Sequence, residues 1–398
     1  MKLAIVGSGI SGMACAHYLK EKYKISIFEK NDYLGGHTHT HRLKHNKSFT
    51  LDTGFIVFNE KTYPNLIRFF KELGVEKQKS DMSFSVYNMD TGLQYSSKRL
   101  FAQRKNLLSP RYWLFLRQIN RFFRVAQKKK GKSQTIRNYC REHGLSDFFI
   151  DNYLVPMSSA VWSMPHEEVY EFPISLLIPF FKNHGLLGIN QQLQWYTVKG
   201  GSDTYIHKIV NGSDLDIHLN EPVTSVEQGS KVRLTTRKRT YNFDRVILAS
   251  HADESLTITN LPDKKRKLLE AFPYTPNKAI LHTDASIMPP LKDAWASWNH
   301  VISKNNTSTI YWLNRLQKPD TKTNYFLSLN PFQKIPKRHI VKEMNYHHPS
   351  FSVENFALQK RLQEINKDTN IFFTGSYFRY GFHEDGISSA LKVVEQLQ

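Results

Sequence analysis

The stretch "KLAIVGSGISGMACAHYLKEKYKISIFEKN", residues 2–31, decides the fold. An apolar run ends at Gly7, a small-residue helical segment follows, and a second apolar run, "ISIF", ends at Glu29. Gly7, Gly9 and Gly12 fit G-x-G-x-x-G between a strand and a helix, and each has a task. The first permits a tight turn, the second lets backbone approach a pyrophosphate, and the third lets helix and strand pack closely. A helix beginning near Ser11, with Ile10 and Ser11 at its start, offers unpaired N–H groups and its positive dipole end to phosphate. Glu29, 20 residues after Gly9 and followed by Lys30, stands where an acid hydrogen-bonds a ribose hydroxyl. Together these features predict a dinucleotide site.

The next segment raises a competing reading. "GGHTHTHR", residues 35–42, places His37, His39 and His41 at alternate positions. In an extended chain they share one face, which suits a metal ion. Yet Gly35 and Gly36 follow Glu29 after a five-residue spacer, so the same donors lie where a bound pyrophosphate needs them. We therefore assign His37, Thr38 and Thr40 to the phosphate side, assign no metal, and leave His39 and His41 without a role.

Composition sets wider bounds. With 398 residues, 40% hydrophobic and 13% aromatic, the chain is long enough for two domains with real cores. The longest apolar run, "SLLIPFF" at 175–181, is far shorter than the ~18 residues of a membrane span. An apolar run starting at residue 2 leaves no room for an export leader, and two cysteines make no disulfide framework, so a cytoplasmic location is expected. Net charge is +20, and the 91–141 segment carries fourteen Lys and Arg with no acid. Such a field implies an anionic partner.

The acid, spacer, Gly-Gly and later Thr resemble the signature of the flavin amine oxidase, protoporphyrinogen oxidase and phytoene desaturase superfamily, with His37 where that signature usually has Arg. "LDTGFIVFNEKTYPN", "VPMSSAVWS", "YTPNKAILHTDASIMP", "AWASWNH", "YWLNRLQ", "LNPF" and "GFHEDG" further resemble a subfamily of FAD-binding oxidoreductases encoded near cyclopropane-fatty-acid-synthase-like methyltransferases. The resemblance implies an α/β protein. It would have a Rossmann-like FAD-binding domain of glutathione-reductase type, built from 1–80, 198–260 and 366–398, and an α+β substrate domain from 81–197 and 261–365. It also implies cofactor roles for Val223 near adenine, Gly54 and Phe55 beside the flavin ring, and Gly375 and Ser376 near the ribityl or phosphate region, with Ser in place of an acid. Phe382 and His383 would pack on the ring. A helix opened by Asp385 as N-cap would bring Gly386 and Ile387 to the flavin's N1 and O2 edge. Lys278 lies near the place where amine oxidases carry a lysine holding a water at N5, and is the candidate catalytic residue.

Substrate class is read from the basic segment. On 111–128, Tyr112, Phe115, Leu116, Ile119, Phe122, Phe123 and Ala126 form one stripe, with Arg117, Arg121, Arg124 and Lys128 opposite and Lys129, Lys130 and Lys132 beyond. This is either a core-facing helix with a solvated back or a basic amphipathic surface for anionic lipid. With the resemblance, it leads us to expect an FAD-dependent enzyme peripheral to the inner membrane face through 98–132. The expected reaction is dehydrogenation or rearrangement of an unsaturated or methyl-branched acyl chain, in a tunnel lined from residues near 157–195 and 274–312. A flavin amine or polyamine oxidase and a nucleic-acid-associated FAD protein are the alternatives. The strong positive charge weighs against a cationic substrate, and no nucleic-acid partner is expected; oligomeric state stays open.

Overall fold

The computed structural model describes every residue except 45–46, 129–133, 163–165, 189–192, 305, 353–354 and 356–357. Lys129, Lys130 and Lys132 thus lie outside the described residues. β1 (Lys2–Val6), α1 (Ile10–Leu19) and β2 (Lys24–Phe28) form a strand, helix, strand unit, with β1 and β2 parallel from Lys2 opposite Lys24 to Val6 opposite Phe28. Gly12 is what lets α1 lie so close to its turn. A Cβ there would stand 2.1 Å from the Gly7 carbonyl oxygen.

Three later strands join this pair in parallel: Leu215–His218 beside β2, Arg245–Leu248 beside β1, then Ile371–Phe373. Counted along the chain, the five-stranded sheet runs 3-2-1-4-5, a doubly wound order whose ligand cleft opens at the C-terminal strand ends. Leu3, Ala4, Ile5, Ile25 and Ile27 are buried on both faces, which explains why these strands read as continuous apolar runs rather than alternating ones.

A second, seven-stranded sheet orders 340–349, 274–282, 326–329, 306–312, 298–303, 84–88 and 93–96. Here the pleat does alternate. On Tyr274–His282, Asn277 and Ala279 point inward while Lys278 points out on the opposite face. The inward face packs on the ribbon Thr40–Lys44 and Ser48–Asp52, through Phe49 and Leu51 against Ala279, Leu281, Leu327 and Tyr311. The protein is therefore α/β, a Rossmann-like domain assembled from distant segments with an α+β unit beside it.

The helical layer of that unit includes Pro110–Lys128, Ile136–Glu142, Val155–Trp162 and Ile174–Asn183. On the first of these, Tyr112, Phe115, Phe122 and Ala126 are buried, and Leu116, Ile119 and Phe123 pack against the same core. The apolar stripe is thus consumed inside the protein, because Val86, Tyr95 and Phe149 need covering. It is not the lipid-facing stripe of an amphipathic surface helix. No described helix is long and apolar enough to cross a membrane.

Phe122→Ala should cost about 3–5 kcal/mol, since a fully buried ring leaves a cavity. Arg124→Gln, on the exposed side, should change stability by less than ~0.5 kcal/mol. Urea unfolding of the two variants checks both values.

Candidate functional site

Four pieces of chain converge at the C-terminal ends of β1 and β2. The first is the glycine turn. α1 begins at Ile10 with Gly9 as N-cap, no acid in its first turn and no side-chain cap, so its opening N–H groups stay available to an anion. The second is the Gly35–His37 elbow, whose Gly36 lies against Gly9 closely enough that a Cβ would meet the Gly9 Cα at 3.3 Å. The third is Gly54–Phe55, held by the Phe55 N–H donating to the His37 carbonyl at 2.7 Å. The last is the C-terminal helix, His383–Leu397. Its Gly386 sits where a Cβ would approach Ile10 Cγ2 to 2.8 Å, and its carbonyl accepts from Ser11 Oγ at 3.0 Å.

Glu29 is buried at the end of β2. One carboxylate oxygen accepts from the Ser8 N–H (3.0 Å) and hydroxyl (2.6 Å), the other from the Asn31 N–H (3.0 Å) and side-chain amide (2.9 Å). The Glu29 carbonyl accepts from the Glu221 N–H at 3.0 Å, which sets Val223 close by. At the far end, the Gly375 N–H donates to Ser389 Oγ at 3.0 Å, and the Ser376 N–H comes within 4.0 Å of the place a Gly386 side chain would occupy.

Several residues stand elsewhere than the sequence implied. Lys30 turns to the surface and pairs with Glu254. Thr40 donates to Asp52 (2.5 Å) and accepts from the Asp203 N–H (3.0 Å), anchoring the ribbon instead of facing the cleft. Ile387 is fully buried among the residues that seat the last helix on α1. Lys278 is half exposed and pairs with Glu343 at 3.0 Å, because strand alternation carries it away from the cleft face. Asp385 is not the N-cap of the last helix. Phe382 is, and Asp385 in the first turn reaches back to accept from the Phe382 and Tyr380 N–H groups at 3.0 and 3.1 Å. Burial pushes the Asp385 carboxyl up to about 7 against those bonds.

The alternating histidines part company. His37 turns inward, bonded to the His347 backbone, and its Nε2 is buried without a partner. His39 Nδ1 meets the Tyr346 hydroxyl at 3.0 Å, and His41 Nε2 meets Thr53 Oγ1 at 2.9 Å. Among the described residues no group of three His, Cys, Asp or Glu is arranged to hold a metal. Thr38 Oγ1 bridges Tyr205 (2.6 Å) and His383 Nε2 (3.0 Å), tying elbow to last helix.

Sequence reasoning missed the company His37 keeps. His348 and His251 approach it at 5.4 and 5.9 Å between ring centres, and His251 stacks on Tyr274 at 4.1 Å. The adjacent pair at 347–348 carried no periodic signal; only the strand pairing of Thr275 with His348 brings it here. Burial pushes His37 down to about 4 and His251, His348 and His383 to about 3. All four are neutral at pH 7, and a neutral imidazole donates one N–H.

On the other side the cleft meets an aromatic wall. The His383 ring stacks on Phe55 at 3.8 Å, and Phe382 stacks on Phe180 at 5.2 Å. Phe180 continues to Trp162 (4.7 Å) and to His184 (3.8 Å), which stacks towards Trp195 (5.9 Å). Helix-start N–H groups for pyrophosphate, a carboxylate for ribose and a flat aromatic boundary fit an FAD molecule.

The family model for flavin containing amine oxidoreductases matches residues 10–341. A 1-hydroxycarotenoid 3,4-desaturase of Flavobacterium sp. (strain P99-3) is 46% identical over 67 residues, 17% of this chain and 12% of its own length. A 15-cis-phytoene desaturase of Synechococcus elongatus is 33% identical over 93 residues, 23% of this chain and 19% of its own. The chain thus aligns with under a fifth of either curated relative's length. Among solved structures, cyclohexylamine oxidase from Brevibacterium oxydans IH-35A superposes with TM-score 0.73 at 16% identity, covering 100% of this chain and 99% of the other. A fatty acid isomerase from P. acnes does so with TM-score 0.70 at 12% identity, covering 99% and 98%. At these identities the likeness is one of fold.

Gly386→Ala should separate the last helix from α1 and release the cofactor, so purified variant should lose its visible flavin spectrum while keeping helical circular dichroism. A second expectation concerns acid. The four depressed histidines stay neutral in the folded cofactor-free protein while the unfolded chain takes up protons near pH 6.5, so stability is full above that pH and lost as pH falls towards 3–4. Melting temperature should drop over that window, and His37→Asn should make the slope shallower by about 1.4 kcal/mol per pH unit between roughly pH 6.5 and 4.

Proposed function

Because the chain belongs to the flavin containing amine oxidoreductase family, with FAD as its cofactor, we propose that it is an oxidoreductase acting on a fatty acyl chain of membrane lipid. The expected reaction is dehydrogenation or redox-assisted rearrangement of an unsaturated or methyl-branched chain. FAD, when bound, supplies a hydride acceptor, so the protein's own task is to position the substrate and keep water out. We assign Gly7, Gly9, Gly12, Gly35, Gly36 and His37 to the pyrophosphate, Glu29 and Val223 to the adenosine end, and Gly54, Phe55, Gly375, Ser376, Phe382, His383 and Gly386 to the flavin end. The long run 1–80, with 198–260 and 366–398, is taken as the cofactor domain and the remainder as the substrate domain.

One observation carries the substrate reading. The wall beside the cleft is Phe382, Phe180, Trp162, His184 and Trp195, and no Asp or Glu occurs between Phe172 and Val198. His184 is itself held neutral, its value pushed down to about 4 by burial. Such a wall favours a hydrocarbon, while an ammonium group entering it would be desolvated without a counter-charge. The two acids in the first turn of the last helix, Glu384 and Asp385, are both turned to backbone N–H groups, Glu384 to those of Asn65 and Leu66 and Asp385 to those of Tyr380 and Phe382. Burial raises both, and Asp385 is partly protonated near neutrality. The desaturase relatives and the fatty acid isomerase are in keeping with an apolar chain as substrate.

Under anaerobic conditions the flavin band of the holoenzyme should bleach, or product should accumulate, on adding unsaturated phospholipid dispersed in detergent, and remain unchanged with cyclohexylamine or polyamines. Bleaching by amines alone would sink the acyl reading and favour an amine oxidase. Phe180→Asp should lower turnover of the lipid by at least about tenfold, since a charge in that wall opposes entry of hydrocarbon.

A further inference from the structure

Where the protein meets the lipid is a separate matter, and the buried stripe of the 110–128 helix is not available for it. A different apolar set is. Among the described residues, Leu107 (49% exposed), Leu108 (89%), Trp113 (50%) and Leu114 (53%) are four of the seven large hydrophobic side chains left exposed. They form one tip. The turn Arg104–Leu108 leads through Ser109 into the helix, the Trp113 indole N–H donates to the Leu107 carbonyl at 2.9 Å, and Trp113 lies 5.2 Å from the Phe101 ring.

The charge beside the tip is arranged on the same helix face. Trp113, Leu114, Arg117, Arg121 and Arg124 fall within about a 100° arc, opposite the buried stripe. Arg117, Arg121 and Arg124, with Val125, line an open groove of about 300 Å³. None of these three, nor Arg104 or Lys105, has a carboxylate partner among the described residues, whereas Lys98, Arg99 and Arg137 are paired with Asp81, Asp293 and Glu171. Unpaired cations therefore lie beside the tip.

We propose that the tip Leu107, Leu108, Trp113 and Leu114 inserts into an anionic lipid leaflet while the Arg117–Arg121–Arg124 groove holds lipid phosphate. It rests on the lipid reading above for its partner, but not on the redox step. Charge complementarity selects the occupant, since the arginine arc calls for an anionic surface and the exposed leucines for an apolar medium directly beneath it, and an anionic leaflet supplies both. The spacing agrees. At 1.5 Å per residue, Arg117 lies about 4.5 Å and Arg124 about 15 Å along the axis from Leu114. One leaflet's headgroup zone is roughly 5–7 Å deep, so a helix axis inclined by about 25° or less to the membrane plane, with its start at the hydrocarbon, keeps all three arginines level with the phosphates. Trp113, amphipathic and tethered by its indole N–H, suits the boundary.

The test uses holoenzyme sedimented with vesicles of phosphatidylcholine alone or mixed with phosphatidylglycerol, the flavin spectrum serving as fold control. Unaltered protein should prefer the mixed vesicles. Arg117→Gln/Arg121→Gln/Arg124→Gln should weaken that binding on the order of a hundredfold. Leu108→Ser/Trp113→Ser should weaken it by at least about tenfold without altering net charge. Should the serine variant lose its flavin, quenching of unaltered protein by bromine-labelled acyl chains, compared with Trp113→Phe, reads the same insertion. The proposal is overturned if the serine variant binds vesicles normally, if RNA or inorganic phosphate competes as well as vesicles do, or if the variant changes only the mass in gel filtration, which would make the tip an interface between two copies of the chain. Vesicle binding lost while detergent-dispersed lipid still bleaches the flavin sinks the docking surface alone. Binding without bleaching sinks the acyl reaction alone.

Discussion

The contact on which the rest depends is made by residues 375 apart in sequence, where Ser11 of the first helix donates to the Gly386 carbonyl of the last. It requires a residue without a side chain at 386 and a helix start without a cap at Gly9. Once the two helix starts meet, the glycine turn, the Gly35–His37 elbow and Phe55 are drawn into one cleft, and the three segments of the Rossmann-like domain become a single body. The C-terminal helix thereby begins beside the start of α1, where Gly386 lies against Ile10 and Ser11.

Around that contact, polar groups are divided by depth. One side of the cleft collects neutral histidines and backbone N–H groups, and the other is bounded by Phe55, His383 and Phe382. Beyond Phe382 the aromatic wall passes into the helical layer through Phe180 and Trp162. Around the cleft the buried carboxylates Glu29, Asp52, Glu384 and Asp385 are held by backbone N–H groups. The +20 charge is a property of the surface and not of the cleft.

Some of this was legible in the linear chain because it is local. Gly7, Gly9, Gly12 and Glu29 are related by spacing within one β-α-β unit, and the parallel sheet follows from them. Gly386 could be placed because "GFHEDG" opens a helix near the end of the chain, although the cap is Phe382 and Asp385 serves from inside the first turn. Lys278 shows the limit. Its neighbourhood in sequence suggested the cleft, but one residue of pleat decides which face a side chain takes, and Asn277 and Ala279 hold the inner positions. The histidines His251 and His348 had no local signal, since His348 reaches His37 through pairing with Thr275 across the second sheet and His251 reaches it from the start of the Ala252–Ile258 helix.

The 110–128 helix divides the two kinds of knowledge most clearly. By itself the sequence determined that one stripe is apolar and the other basic, because that depends only on residue type and a period of 3.6. It could not decide which surface the stripe would meet. Tertiary structure spent the stripe on Val86, Tyr95 and Phe149, and left exposed Leu107, Leu108, Trp113 and Leu114 instead. The physical reason is that burial is settled by competition among all the apolar faces of a chain for a limited interior. The winner is known only when every layer is in place.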